Sequence, residues 1–273
     1  MNRTTILAPI WIWLALFVVA PVLIVAALSL STTFEGIPPF TPLLHDPVAD
    51  NYRLLTSDAY YLDAGLKSLQ VAAISSFACL LIAYPMALAI ARAPERWRSA
   101  LLLLVMLPFW TGFLLRITAW IGLLREDGWL NLALKTIGLP PITLLYTDWA
   151  MYIGITYAYL PFMLLPLYAR LSRRDPALEE AAADLGATPW TTFRTITLPL
   201  SLPGIAAGLA LVFIPAIGEY VIPELLGGPS AQTIGRALWN EFFANRDWPT
   251  AAALANALLV VLLIPMVLLR TRR

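Results

Sequence analysis

Residues 180–199 read EAAADLGATPWTTFRTITLP, the longest stretch in the second half of the chain that is not strongly apolar. Just before it, the Asp175 side chain can cap a helix whose first residue is Pro176. Proline suits that position because the first helical residue needs no N–H. Gly186 suits the left-handed residue that ends a helix. Thr188, again followed by a proline, suits the start of another helix. The sequence therefore predicts two short helices joined by a sharp turn.

Both predicted helices have an apolar side. In the first helix the apolar positions follow the spacing i, i+3, i+4 and i+7; they are Leu178, Ala181, Ala182 and Leu185. In the second helix they are Trp190, Phe193 and Ile196. A folded amphipathic segment between two apolar runs favours a surface that contacts another protein. An ordinary structured loop is the alternative.

Composition places the chain in the membrane. It is 60% hydrophobic and 13% charged, with a mean hydropathy of +0.75, whereas a soluble domain carries roughly 25% charged residues. The single cysteine, Cys79, lies in an apolar run, so no disulfide within the chain is possible. The net charge of +1 gives no basic field of the kind that binds nucleic acid.

Six apolar runs are long enough to cross a bilayer, which takes about 20 helical residues. They lie near 6–30, 64–91, 99–124, 148–170, 199–225 and 251–269. The first run exceeds the apolar core of a cleaved signal peptide, so we expect it to be a retained span. The fold class predicted is all-α, a polytopic membrane protein.

Basic residues are unevenly divided between the two sets of connections. Eleven fall on one side: Arg3, Arg92, Arg96, Arg98, Arg170, Arg173, Arg174, Arg194, Arg270, Arg272 and Arg273. Six fall on the other side: Arg53, Lys67, Arg125, Lys135, Arg236 and Arg246. Since the positively charged side faces the cytoplasm, we expect both termini and the 172–198 loop to be cytoplasmic. The connections 31–63, 125–147 and 226–250 then face outward.

Motifs for catalysis are missing from the sequence. It contains no GxxxxGK[ST] segment, so we expect no nucleotide site on this chain. The lone histidine, His45, sits in a Leu-His-Asp setting typical of an exposed loop, and it cannot form a His/Cys metal cluster. We therefore expect a protein that is not an enzyme and that holds no metal.

The 180–199 stretch resembles the EAA signature of permease subunits of binding-protein-dependent ABC importers. That pattern, EAA-x3-G-x9-I-x-LP, is met at every fixed position. In the family, the loop forms coupling helices that dock into a groove on a separate ATPase. The resemblance thus implies ATPase docking at Glu179, Glu180, Ala181, Ala182, Gly186, Ile196, Leu198 and Pro199.

A second resemblance concerns the solute. Residues 217–229 read IGEYVIPELLGGP and residues 234–243 read IGRALWNEFF. Both are similar to segments of putrescine and spermidine permease subunits, as is Pro108-Phe109-Trp110-Thr111. Related permeases for opines, thiamine, iron and amino-acid-like solutes share much of this scaffold and remain alternatives.

Four residues are candidates for a substrate path. Glu219 lies near the outer end of the fifth run, and an ionisable group inside a span is a functional candidate. Trp110 and Trp120 fall on one predicted helix and could face one lumen, where indole rings attract ammonium groups. Glu219 pairing with Arg116 is the structural alternative. Asn256 could line the path or, as we favour, bond to a neighbouring helix.

The sequence interpretation is a six-helix permease with cytoplasmic coupling helices, similar to type I ABC importer permeases. Residues 1–50 would hold the first span and the start of a periplasmic loop, and residues 51–273 the permease domain, with the coupling loop at 172–198. The implied partners are an ATPase dimer carrying ATP and Mg²⁺, a second permease in a heterodimer, a periplasmic binding protein and membrane lipid. A secondary transporter and a membrane scaffold are the rivals, disfavoured by missing midplane acids and by the complete EAA pattern.

Overall fold

The computed structural model describes residues 3–43 and 47–270, and every regular element within them except one isolated bridge, Thr33–Phe40, is helical. The first helix, α1, runs Arg3–Leu14 and continues through a π turn, Ala15–Val19, into Ala20–Leu28. The next elements are α2 (Asp50–Ser57), α3 (Ala59–Arg92), α4 (Glu95–Met106), α5 (Phe113–Leu124), α6 (Trp129–Thr136) and α7 (Asp148–Leu171). Then come α8 (Ala177–Asp184), α9 (Pro189–Ile217), α10 (Val221–Leu226), α11 (Ile234–Trp239) and α12 (Trp248–Arg270).

Within the described residues, four helices are long and apolar enough to cross a membrane unaided. They are Leu7–Leu28 of α1, α3, α7 and α9. A bent pair, Glu95–Trp110 with Phe113–Thr136, gives a fifth crossing if it is one broken span. Helix α12 has 23 residues and is apolar over Trp248–Leu263. Each of the six predicted runs thus has a helical counterpart, and the all-α prediction is confirmed.

The third predicted run is broken rather than straight. The helices on either side of residues 111–112 are bent by 87°, so the run predicted over 99–124 is two helices and not one continuous helix. Pro108 has no N–H to continue the ladder, and Thr111 adopts an extended conformation with ψ of 150°. The Thr111 hydroxyl donates to the Pro108 carbonyl at 2.6 Å and so satisfies a group that the break exposes.

The fifth predicted run, 199–225, begins earlier and ends earlier than expected. Helix α9 starts at Pro189, so the second short helix predicted at Thr188 is instead the first turn of this span. A π turn, Phe193–Thr197, precedes Pro199, and its wider winding relieves the clash between a proline ring and the carbonyl four residues earlier. The helix ends at Ile217, and α10 follows after a break.

The described chain forms two compact units: Lys67–Ala231, and Met1–Leu66 with Gln232–Arg273. In the Lys67–Ala231 unit, α7 and α9 approach closely. A Cβ on Gly208 would lie 2.6 Å from Met163 Sδ and 3.1 Å from Met163 O, and one on Gly204 would lie 3.0 Å from the Pro166 carbonyl oxygen. These glycines form a GxxxG pair, which lets membrane helices pack backbone against backbone. The domain boundary at residue 50 stays a sequence-based prediction.

The same unit has a buried apolar cluster between α3 and α7. Its fully buried members include Ala83 and Ala87 of α3 and Met163 and Leu167 of α7. Cys79 lies in this cluster, with its thiol 3.3 Å from the Thr156 carbonyl oxygen. The cluster thus combines small side chains of α3 with larger ones of α7.

In the other unit, hydrogen bonds from amide and hydroxyl side chains link separate segments of the chain. The Asn51 side chain donates to the carbonyls of Ser29 and Ser31, each at 2.9 Å. The Thr33 hydroxyl donates to Asp247 at 2.9 Å, and Tyr61 donates to the buried Glu241 at 2.8 Å. These bonds connect segments far apart in sequence.

Candidate functional site

Helix α8 is bounded by the caps that the sequence predicts. The Ala177 N–H donates to Asp175 Oδ1 at 3.0 Å. At the other end Gly186 has φ of +79°, and the N–H groups of Gly186 and Ala187 donate to Ala183 O and Ala182 O, each at 2.9 Å. This pair of bonds is the Schellman arrangement, which requires a left-handed residue at the glycine position.

The cap that begins α9 is also as predicted. The Thr188 hydroxyl accepts from the Thr191 N–H at 3.2 Å, and Pro189 occupies the first turn. Helix α8 and the first turns of α9 therefore form a rigid pair, which we call the 175–199 segment. Hydrogen bonds within residues 182–191 close the turn between the two helices.

Apolar side chains of the 175–199 segment remain uncovered by the chain. Ala182 is buried, but Leu185 is 89% exposed, Trp190 69% and Leu178 45%. Trp190 stacks on Phe193 of its own helix, with the ring centroids 5.4 Å apart. A rigid element that presents three large apolar side chains marks a surface for contact with another molecule.

Glu179 is held by side chains from three other places in the chain. Its Oε1 lies 2.6 Å from Arg174 Nη1 and accepts from the Thr197 hydroxyl at 2.7 Å. Arg92, the last residue of α3, donates to both carboxylate oxygens at 3.2 and 3.4 Å. Arg174 also donates to Thr197 Oγ1 at 3.2 Å. We call these four residues the Glu179 network.

Three residues of the network are largely shielded from solvent, whereas the Arg92 side chain is 54% exposed. The Arg174 side chain is 9% exposed, that of Glu179 22%, and Thr197 is fully buried. Burial opposes ionisation of the Glu179 carboxyl, but the Thr197 hydroxyl and the charges of Arg174 and Arg92 outweigh it and lower its pKa from the usual value. Glu179 is therefore charged at neutral pH. The adjacent Glu180, by contrast, is exposed.

The two candidate tryptophans do not share a helix. Trp110 ends the 3₁₀ turn before the break and is 79% exposed, whereas Trp120 lies on α5 beyond the 87° bend. The helical-wheel argument that placed both on one face was wrong, because the helix it assumed is interrupted at residues 111–112. Trp120 instead packs edge-on against Tyr157, with ring centroids 5.4 Å apart.

Glu219 lies in the gap between α9 and α10. Its Oε1 accepts from the Val221 and Ile222 N–H groups at 3.0 and 3.4 Å, and Tyr159 donates to its other oxygen. It therefore caps α10, a contact that the sequence analysis missed. Arg116, the partner considered for it, places its guanidinium over the Phe109 ring, 4.4 Å from the centroid.

The remaining two residues singled out in the sequence are Asn256 and His45. Asn256 on α12 donates to the Val25 carbonyl at 3.4 Å and to Tyr52 Oη at 3.3 Å, so it does bond to a neighbouring helix. Its part in a substrate path stays a prediction. The predicted exposed loop at His45 lies outside the described residues.

The described residues contain no group of three or more His, Cys, Asp or Glu side chains that could hold a metal ion. The features that the structure does offer are an uncovered amphipathic surface at one end and a charged helix cap at a break between helices. A family model for binding-protein-dependent transport system inner membrane components matches residues 4–271. The chain belongs to this family.

Relatives of this permease cover nearly its whole length. The spermidine/putrescine transport system permease protein PotB of Escherichia coli (strain K12) is 39% identical over 252 residues, covering 92% of this chain and 90% of that protein. PotB of Haemophilus influenzae is 38% identical over 258 residues, covering 93% and 88%. The crystal structure of a bacterial alginate ABC transporter in complex with an alginate pentasaccharide-bound periplasmic protein contains a chain of the same fold, with a TM-score of 0.73, 22% identity and coverage of 95% and 89%.

Membership makes this permease a multi-pass inner-membrane component of an ABC importer, a transport protein rather than an enzyme. It confirms the resemblance carried by residues 180–199. The EAA pattern did not reveal the Glu179 network, because Arg92, Arg174 and Thr197 lie outside its fixed positions. Their separation in sequence, up to 105 residues between positions 92 and 197, leaves no periodic signal that could have predicted their contact.

Proposed function

We propose that this permease imports putrescine or spermidine as one half of a membrane pore driven by a separate ATPase. The observation that carries the proposal is the 39% identity to spermidine/putrescine permeases over 92% of this chain. The likeness is not confined to the 180–199 stretch that all such permeases share. It extends across the spans and outer connections in which a solute-specific path would be formed.

The ATPase would dock on the 175–199 segment. Its exposed Leu178, Leu185 and Trp190 supply an apolar contact surface, and the exposed Glu180 supplies a charge next to it. Aromatic and large aliphatic side chains on a rigid support are the usual anchors of protein interfaces. ATP and Mg²⁺ would bind to that partner, since this sequence has no phosphate-binding loop. Movement of the segment on ATP binding would tilt α9 and open the path outward, and hydrolysis would reset it.

The other partners follow from orientation. With both termini and the 175–199 segment in the cytoplasm, the connections 31–63, 125–147 and 226–250 face the periplasm, where a solute-binding protein would deliver substrate. A second, similar permease would complete the pore as a heterodimer. The exposed apolar side chains of α1, which include Trp11, Trp13 and Phe17, suit lipid contact.

The chemistry of a polyamine fits groups near the two broken spans. A polyamine is a row of ammonium groups separated by methylene spacers, so its path requires carboxylates and aromatic faces. Glu219 supplies a carboxylate at the break between α9 and α10, and Trp110 is exposed beside the break before α5. Trp120 adds a further aromatic ring on α5. Each of these three roles is a proposal.

The test is uptake of radiolabelled putrescine and spermidine in a strain that lacks its own polyamine importers, expressing this permease with its companion ATPase, permease and binding protein. We expect ATP-dependent uptake that unlabelled spermidine inhibits and unlabelled thiamine or molybdate does not. Omission of this chain is the control. Uptake that persists without the ATPase would point to a secondary transporter, and inhibition by another solute alone would reassign the substrate.

A further inference from the structure

Helix α8 carries two adjacent glutamates whose surroundings differ sharply. Glu180, the fixed acid of the EAA pattern, is exposed. Glu179 has both carboxylate oxygens engaged by Arg92, Arg174 and Thr197 at distances of 2.6 to 3.4 Å. A carboxylate that already binds two arginines and a hydroxyl of its own chain has less capacity left to bind a partner.

The contacts of Glu179 join three structural elements. Arg92 is the last residue of α3, Arg174 follows the end of α7, and Thr197 is the last residue of the π turn in α9. All of these contacts are made by a residue in the first turn of α8. The network therefore fastens α8 to the ends of α3, α7 and α9 on the same side of the chain.

Residues 179 and 197 occupy positions that the EAA pattern leaves open. Position 179 precedes the pattern, and Thr197 is the variable residue between Ile196 and Leu198. The bond between them, 2.7 Å long, closes the 175–199 segment from its first turn to its last. Because Thr197 is fully buried and Arg174 nearly so, solvent cannot readily replace these bonds, and charge-assisted hydrogen bonds in such settings are strong.

We propose that Glu179 is a positioning residue for coupling: it locks α8 to the ends of α3, α7 and α9, so that displacement of the 175–199 segment moves these helices rather than bending the loop. This inference rests on the proposed function for the source of the displacement. It departs from the sequence interpretation, which grouped Glu179 with the residues that dock on the ATPase. On this proposal, Glu180 faces the partner and Glu179 faces the membrane helices.

The test compares Glu179→Gln with Glu95→Gln, an exposed acid outside the 175–199 segment, in the complete transporter with its ATPase and binding protein. The glutamine keeps the size of the side chain but removes the charge that holds two arginines. We expect the ATPase to co-purify in normal amount and basal ATP hydrolysis to be unchanged. The stimulation of hydrolysis by spermidine-loaded binding protein should fall by about tenfold, the size expected for loss of a charge-assisted hydrogen bond. Glu95→Gln should match the wild type.

Thr197→Val and Thr197→Ser provide a second pair. Valine removes the hydroxyl that donates to Glu179, and serine keeps it, so only valine should reproduce the loss of stimulation. Amide hydrogen exchange over residues 177–184 gives a readout that does not depend on the solute. We expect it to be faster by about tenfold in Glu179→Gln and Thr197→Val, because a lost lock lowers the local opening free energy.

The outcomes separate the two proposals. Failure of spermidine-loaded binding protein to stimulate the wild-type transporter contradicts the polyamine function, and the exchange rates then still decide whether Glu179 locks α8. Unchanged exchange in Glu179→Gln overturns the lock. Faster exchange with normal stimulation overturns its part in coupling. Loss of ATPase co-purification in Glu179→Gln but not in Glu95→Gln overturns the assignment of Glu179 to the inner side.

Discussion

At the scale of single residues, the 175–199 segment shows that two neighbouring glutamates can have different surroundings and so different roles. Glu179 and Glu180 differ by one position, which on a helix is a rotation of 100°, and this rotation turns one toward the ends of the spans and the other toward solvent. The EAA pattern contains Glu180 among its fixed positions. The ion pairs and hydrogen bonds to the ends of the spans are made by Glu179 instead.

The Glu179 network should withstand mild acidification. The pKa of Glu179 in the folded chain lies below the ordinary value of 4.5. The stability that the ionised carboxylate contributes is therefore present above pH 4.5 and is lost only as pH falls through the lower pKa of the folded chain. We expect exchange of residues 177–184, corrected for intrinsic chemistry, to be the same at pH 7 and at pH 5. Glu179→Gln should show the faster rate at both values. A wild-type rate that rises between pH 7 and pH 5 would contradict the lowered pKa.

Leu185 should be an anchor of the ATPase contact. It is 89% exposed on a rigid turn, and Leu185→Asp would place a charge where an apolar contact is expected. We expect the amount of co-purified ATPase to fall by about tenfold, with normal insertion of the permease in the membrane. Leu139→Asp, at a leucine exposed to 51% in the 125–147 connection, is the matched control and should retain the ATPase. Equal retention by both variants would place the docking surface elsewhere.

Glu219 can act on substrate through its charge or on α10 through its oxygens, and one substitution distinguishes the two. Glutamine keeps an acceptor for the Val221 N–H but removes the charge. For a substrate role we expect Glu219→Gln to raise the KM for spermidine uptake by about tenfold, which corresponds to about 1.4 kcal/mol. Tyr159→Phe removes the hydroxyl that donates to Glu219 and leaves the charge, so its KM should change less. An unaltered KM in Glu219→Gln would leave only the capping role.

At the scale of elements, the sequence predicts helix caps better than it predicts breaks inside the spans. The caps at Asp175, Gly186 and Thr188 depend on residues within five positions, and the structure has all three. The break at residues 111–112 depends on whether neighbouring backbone supports a straight helix, which the sequence around Pro108 does not state. The early start of α9 likewise depends on a π turn.

The sequence also contains a glycine spacing that indicates close packing of two helices. Gly204 and Gly208 stand four residues apart in an apolar run, the spacing at which two helices pack closely. The structure shows them against α7. The Glu179 network, in contrast, joins residues whose separation follows no helical or strand period, so only the folded chain brings them together.

Gly208→Ala should loosen the contact between α7 and α9. The added Cβ would lie 3.1 Å from the Met163 carbonyl oxygen and 3.3 Å from its Cα, atoms that cannot rotate away. We expect the free energy of unfolding in detergent to fall by about 1–3 kcal/mol. Gly65→Ala is the matched control, because its Cβ meets nothing within 4 Å and alanine favours a helix over glycine. A Gly208 variant as stable as the Gly65 variant would contradict the close packing.

At the scale of the whole molecule, the distribution of basic residues predicts which loops face the cytoplasm. We expect a cysteine at position 127 to react with a membrane-impermeant maleimide in intact spheroplasts, since Asp127 is 78% exposed in a connection that the basic residues predict to face outward. A cysteine replacing the exposed Glu95 should react only after permeabilisation. The native Cys79 is fully buried and serves as the internal blank. Reaction in the opposite order would invert the topology.

The unbroken run of α9 from the 175–199 segment into the membrane has a mechanical consequence. Its 29 residues, at 1.5 Å of rise each, make a rod about 43 Å long. A tilt of about 10° at one end of such a rod carries the other end through about 7 Å, more than half the diameter of an α-helix with its side chains. If the ATPase docks on the 175–199 segment as proposed, the helix would work as a lever arm that carries a small rotation at that end to the far side of the bilayer.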